Sequence, residues 1–429
     1  GLSTVTDVTI PDSLSSINDY AFYGFVSPFS LNLTAASKIG EKAFYGCTGV
    51  TKINLPVAKE IGAEAFYGCT AAKEINAPAA TSIGNSAFEN CSAAEKIYIG
   101  ASNITWGSEG RYFAGCTSCT ELFLGNINFP NNKSVMQNLG RGKEVHMTLG
   151  KNISTISTLH ETYVGSGMGK VTLDLEENSQ LSSVAANAFK DTSYLKEVDF
   201  SNSARNMTFG ANAFNNCANV EVFSTNTGTL SLTTLAMGNL KKLKTLNWNA
   251  STTNLGWTPP TITCTRTLSA TSVNASNQHA IKATYESLGN NAYIGNGITS
   301  DQSADTHNPT ATLSYSFDGQ TALLNHPMYS LGASTTSGTV VNLGKTCKSV
   351  PSYMFTSGIQ MVETSSGTQG TPYTSSKTLL KTVTMSDGNT IGGIRWMSYN
   401  TSGGFVDKQF SAINTSEKIS GNVQYAVTR

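Results

Sequence analysis

The sequence predicts a repeat solenoid of the α/β class, a curved superhelix with short parallel strands stacked on a concave face and irregular or short helical segments opposite. Three observations carry this. The chain has 429 residues, more than the about 250 to 300 that one core sustains unless it is built from repeats. The phrases SINDYAFYG, KIGEKAFYGC, EIGAEAFYGC and SIGNSAFENC place Phe22, Phe44, Phe66 and Phe88 at one constant interval. Each copy then closes on apolar residues alternating at period 2, which puts them on one face of a short strand.

Taken in order along a copy, the same apolar skeleton returns at fixed offsets. Five positions before the aromatic stand Ile17, Ile39, Ile61, Ile83 and Val184, and three after the later ones stand Cys47, Cys69, Cys91, Cys116 and Cys217. At offsets six, nine and eleven come Val50, Ile53 and Leu55, then Leu195, Val198 and Phe200, and, counted from Met237, Leu243, Leu246 and Trp248. Later copies lengthen: the steps from Phe88 to Phe113 and from Phe189 to Phe214 each exceed the earlier interval by three. Both intervals fall within the about 20 to 29 residues of a leucine-rich repeat. One such coil cannot bury its own apolar edge, so the coils must stack, each Ile, Phe and Cys above its counterpart.

The phrases IGEKAFYGC and IGAEAFYGC, with INLP at 53–56 and INAP at 75–78, resemble the BspA-like leucine-rich repeats. The resemblance is closest over 17–125, continues through 184–226, thins over 135–175 and 232–249, and returns in VPSYMF at 350–355. It implies a curved leucine-rich-repeat fold on a bacterial protein exported to the cell surface, with adhesion or host-protein binding as its role.

Three stretches follow from the spacing: a regular solenoid over 1–250, an irregular region over 251–340 that is either degenerate repeats or an insertion, and degenerate leucine-rich repeats over 341–429. Inside the irregular region a helix is predicted over 277–288, with Asn277 as its cap and Ile281, Tyr285 and Leu288 on one face.

Composition narrows the function. Charged residues are 13%, against about 25% in an ordinary soluble domain, and 28 basic residues cancel 28 acidic ones. A nucleic-acid partner is disfavoured. No apolar run reaches the about 18 residues of a spanning helix, so no membrane insertion is expected. The chain starts at Gly1 without Met, which fits a trimmed or processed product. A monomer is expected, extracellular or on the cell surface, whether or not a lipid anchor lies upstream of Gly1.

Chemical motifs are sparse. Cys116 and Cys119 form a C-x-x-C that fits zinc or redox chemistry, but the repeat places both at buried ladder positions, and free thiols are expected there. The histidines at 146, 160, 279, 307 and 326 form no H-E-x-x-H, and GSGMGKV at 165–171 lacks the spacing of a phosphate loop. No catalytic, cofactor-binding or metal-binding residues are expected.

Two solvent-facing columns remain. Lys52, Glu74, Lys96 and Glu121 alternate in sign, which fits lacing between rungs at about 0.2 to 1 kcal/mol per contact. Beside them run Asn54, Asn76, Tyr98, Phe123, His146, Asp174 and Asp199, if the rungs at Val145–Met147 and Leu173–Leu175 are aligned. Tyr98, Phe123 and His146, flanked by Glu121 and Glu144, are the candidate ligand-contacting strip; the plainer reading is a self-stacked ladder covering the backbone. The expected function is macromolecular binding or adhesion through the concave surface, to a protein or glycan on a host or neighbouring cell. A carbohydrate-active or hydrolytic module in the irregular region, or a purely structural spacer, are the alternatives.

Overall fold

The computed structural model describes residues 10–11, 13–130, 134–257, 325–328, 331–332 and 339–347, and beyond them the backbone of strands between 262 and 423. The chain divides into two compact units, one of Gly1–Thr208 with Val222–Gly228, the other of Phe209–Glu221 with Thr229–Arg429.

In the first unit nine strands stand side by side in sequence order: Phe29–Asn32, Val50–Asn54, Glu74–Asn76, Lys96–Ile99, Glu121–Leu124, Glu144–Leu149, Lys170–Leu175, Leu195–Asp199 and Val222–Ser224. All their pairings are parallel. A second, narrow ladder joins Ser16–Ile17, Lys38–Ile39, Glu60–Ile61, Ser82–Ile83 and Thr105–Trp106, one two-residue strand per coil. The main strands alternate as predicted: along Lys96–Ile99 the side chains are exposed, buried, exposed, buried.

The core between the ladders is a set of side-chain columns. Phe22, Phe44, Phe66, Phe88 and Phe113 stack with ring centroids 5.0, 5.2, 5.6 and 6.0 Å apart and planes within 4° of parallel. Phe44, Phe66, Phe88 and Phe113 are fully buried, and each such ring contributes about 1.5 to 3 kcal/mol by leaving water. Cys47, Cys69, Cys91 and Cys116 form the next column, each Sγ donating to the carbonyl of Phe22, Phe44, Phe66 and Phe88 respectively, at 2.9 to 3.4 Å.

The segment opposite the main sheet departs from the expected short helices. Among the described residues the one α-helix is Glu161–Val164, four residues long. Elsewhere the segment is a repeated turn with two left-handed residues per coil, placed two before and two after the aromatic. Lys42 and Gly46 flank Phe44 at φ 52° and 67°, Glu64 and Gly68 flank Phe66 at 53° and 71°, and Ser86 and Asn90 flank Phe88 at 54° and 59°. Gly and Asn adopt this region readily; Lys, Glu and Ser do so at a cost of about 1 to 2 kcal/mol each.

Backbone pairing between coils offsets that cost. The N–H groups of Lys42, Phe44 and Gly46 donate to the carbonyls of Ala63, Ala65 and Tyr67 in the next coil at 2.9, 2.8 and 2.7 Å, while those of Ala43, Tyr45 and Cys47 close local turns. An α-helix would keep all six within one coil and leave neighbouring coils unjoined along this segment.

The second unit repeats the scheme. Asn212, Phe214 and Asn216 donate to Thr234, Ala236 and Gly238 at 2.9, 2.8 and 3.0 Å. The coil after that is remote in sequence: Leu235 and Met237 donate to Asn325 and Pro327, and the strand Thr245–Trp248 pairs in parallel with Thr339–Leu343. The segment between them forms its own antiparallel sheet, in which Ile262–Thr267 lies between Ile281–Tyr285 and Thr312–Ser316. The predicted helix over 277–288 is therefore incorrect. Ile281, Ala283 and Tyr285 also alternate at period 2, and i, i+4 apolar spacing does not separate the two periods. Further on, Leu380–Met385 pairs in parallel with Thr339–Leu343 and antiparallel with Ile419–Val423. The repeat phrase at 350–355 lies outside the described residues.

Coils pack so closely that Gly40, Gly62 and Gly84, each following an Ile, have no room for a side chain; the atoms nearest Gly40 belong to Asn18 and Asp19, and those nearest the other two to the backbone of the coil before. A Cβ on Gly62 would stand 2.6 Å from the backbone of Gly40 and Glu41. Gly62→Ala should cost about 1 to 3 kcal/mol by overpacking and Phe66→Ala about 3 to 5 kcal/mol by cavity formation. Urea unfolding of both variants against the parent checks this; a neutral Gly62→Ala would contradict the backbone contact.

Candidate functional site

On the solvent side of the first unit's main sheet, register decides which side chains meet. Lys52, Glu74, Lys96 and Glu121 stand in one column. They pair two by two: Lys52 Nζ lies 2.9 Å from Glu74 Oε2 and Lys96 Nζ 2.8 Å from Glu121 Oε1.

The neighbouring column begins Asn32, Asn54, Asn76. Their amides form a ladder, Asn76 Nδ2 donating to Asn54 Oδ1 at 2.7 Å and Asn54 Nδ2 to Asn32 Oδ1. The next two rungs replace amides by rings: Tyr98 and Phe123 stack at 4.5 Å with planes 19° apart.

From here the aligned column of the sequence analysis requires correction. Phe123 faces Thr148, and His146 stands opposite Glu121, two positions from the expected place. His146 therefore continues the charged column and does not extend the ring stack. Its Nε2 lies 2.8 Å from Asp174 Oδ2, across the next rung. Glu144 stands opposite Lys170 and receives a hydrogen bond from Lys196 Nζ at 2.6 Å, which with the nearby charge holds its carboxyl below the usual range.

Four of the five candidate residues nevertheless converge. Tyr98, Phe123, Glu121 and His146 line one depression of about 620 Å³ with Glu74, Asn76, Lys96 and Thr148. Glu144 is not in its lining. The floor between these side chains is strand backbone, since Ile75, Ile97 and Leu122 turn their own side chains into the core. Tyr98 is 42% exposed, and its ring lies over the end of its own strand, where a Cβ on Gly100 would meet Cε1 at 2.7 Å. Gly125 and Gly150 stand at the corresponding strand ends on the next two rungs, and Cζ of Phe123 lies 3.4 Å from the place of a Gly150 Cβ. Coils bearing Pro56 and Pro78 at that place bear Asn in the column instead.

A second aromatic strip escapes the sequence reading. Tyr23, Tyr45 and Tyr67, one residue past each core Phe, stack at 4.9 and 4.8 Å with planes 2° and 6° apart. The strip ends where Glu89 takes the Tyr place, bound by Arg111 Nε at 2.8 Å, and Asn90 Nδ2 donates to Tyr67 Oη at 3.0 Å. The repeated AFYG phrase is its signal.

The cysteines whose side chains are described offer no open chemistry. Cys47, Cys69, Cys91, Cys116, Cys119, Cys217 and Cys347 are buried and unbridged. Burial pushes the Cys47 thiol up to about 11 and that of Cys119 to about 12, and Cys116 is raised well above the ordinary value for the same reason. The C-x-x-C pair thus sits in the core columns. No cluster of three or more His, Cys, Asp or Glu suited to a metal ion occurs among the described residues.

Against known proteins, a family model described as the BspA type leucine rich repeat region (6 copies) matches residues 1–120, 37–158 and 167–259, together more than half of the chain. A solved leucine-rich repeat protein from Bacteroides ovatus ATCC 8483 aligns at 20% identity over 59% of this chain and 76% of that one, with a TM-score of 0.29. That likeness is too loose to carry any residue across. No curated protein matches.

The buried thiols set a pH dependence. The unfolded chain ionises its cysteines near the ordinary value of 9.0, whereas folded Cys47 holds its proton to about 11. The contribution is fully present below about pH 9 and is lost as pH rises from there towards 11. Urea midpoints measured from pH 7 to pH 10.5 should fall above about pH 9, and the seven buried cysteines should react slowly with a thiol reagent until the protein unfolds. Rapid native-state labelling of Cys69 would contradict its burial.

Proposed function

Since the chain belongs to the BspA-type leucine-rich-repeat family, we propose that it is an exported, cell-surface binding protein that captures a macromolecule through the exposed face of its main sheet. One observation carries the reading: the Tyr98 and Phe123 rings interrupt an amide ladder at the depression they share with Glu121 and His146. Exposed aromatics concentrate binding energy because they give large contact area at low entropic cost.

The fixed pairing of Lys96 with Glu121 and of His146 with Asp174 suits a rigid docking surface, which loses little freedom on binding. Among the described residues no helix is long and apolar enough to cross a membrane.

The test is capture of host or neighbouring-cell surface extract by the immobilised parent chain and by a Tyr98→Ala/Phe123→Ala variant. Both rings lie outside the core, so the melting temperature should stay within a few degrees while capture drops at least tenfold. Undiminished capture by a folded double variant would remove the depression as the binding surface.

A further inference from the structure

We infer that the occupant of the depression is an uncharged glycan, with the Tyr98–Phe123 pair as its stacking platform; this rests on the binding role proposed above and names the ligand class. Three observations lead there, beginning with charge. Lys52 is matched by Glu74 and Lys96 by Glu121 at 2.9 and 2.8 Å. A charged ligand would have to break these contacts to find a counter-charge, whereas a neutral one leaves them in place.

The second observation is the posture of the rings. On a strand ladder, aromatic side chains stacked upright present edges. Here the glycine places at Gly100 and Gly150 let Tyr98 and Phe123 lean along the strand, and a side chain at Gly100 would collide with the Tyr98 ring. One face of Phe123 is covered by Tyr98. The other looks towards Thr148, a residue too short to cover it. A pyranose ring has an apolar C–H face of the right width to lie on such a surface, and its attraction to the electron-rich face of an aromatic ring is of the same kind as an aromatic edge-to-face contact.

The third is the rim. Asn76 offers an amide, Glu121 a carboxylate and Thr148 a hydroxyl around the two rings, all within the lining. A volume of about 620 Å³ lies in the range of about 300 to 1,000 Å³ of small-ligand sites with a few placed polar groups. Hydroxyls radiating from the edge of a sugar ring match donors and acceptors arranged around an aromatic centre. A polypeptide would find no free strand edge here, because both neighbours of the Lys96–Ile99 and Glu121–Leu124 strands are already paired.

The experiment uses the whole chain against immobilised neutral oligosaccharides (gluco-, manno- and galacto-series), their sulfated counterparts, and cell-surface extract before and after enzymatic removal of glycans. The parent should retain at least one neutral series. Tyr98→Ala/Phe123→Ala and, separately, Thr148→Arg, which fills the depression and removes no ring, should each weaken retention at least tenfold with the melting temperature preserved. Capture that depends on the rings but survives glycan removal, or prefers sulfated sugars, overturns the neutral-glycan inference and leaves the binding role standing. Ring-independent capture, or none from any source, overturns both.

Discussion

The fold depends on coil-to-coil backbone pairing in the turn opposite the main sheet. Each coil's N–H groups at Lys42, Phe44 and Gly46 reach the next coil, and reaching it forces residues such as Lys42 and Glu64 into the left-handed region. The strain is tolerated because each coil gains three backbone hydrogen bonds to its neighbour, which a helical turn would spend within the coil. Once the coils are locked at this spacing, like side chains lie over like. Phenylalanine stacks on phenylalanine, cysteine donates to the carbonyl above it, and an extra methyl at Gly62 has nowhere to go.

How much of this is legible in sequence follows from which constraints select residue type. Burial selects strongly, so Ile39, Phe44 and Cys47 announce the coil and its core at once. The left-handed residue after each aromatic is readable too, since Gly46, Gly68 and Asn90 suit that geometry. The one before it is not: Lys42, Glu64 and Ser86 share no backbone preference, and without that cue the turn reads as helix. His146 is misplaced for another reason. The step from Met136 to Met147 is two longer than the step from Phe113 to Leu122, the residue that Met147 pairs with. The excess is taken up in a turn where Gly140 and Gly142 adopt positive φ. A slip of two preserves the in-and-out alternation, so no periodicity argument detects it.

The site shows how a repeat acquires individuality. Where copies are alike the exposed columns neutralise themselves, through Lys–Glu pairs and amide-to-amide bonds that offer a partner little. Specificity enters where the period breaks. Tyr98 and Phe123 stand on the two rungs between which the spacing first lengthens, and on which Pro at the strand end gives way to Gly. Local departures from the repeat thus coincide with the chemistry that distinguishes this surface.

One consequence follows from the direction of the turn-segment bonds. Every one of those N–H groups points towards the later coil and every accepting carbonyl towards the earlier one, so the aligned peptide dipoles add along the stack. Their positive pole lies at the later end, the reverse of an α-helix. The adjoining two-residue strands run the other way, Gly40 and Gly62 donating to the carbonyls of Ile17 and Ile39 in the coil before. The two edges of each coil's cross-section thus carry opposed polarity side by side, which fixes the order in which one coil can seat on another.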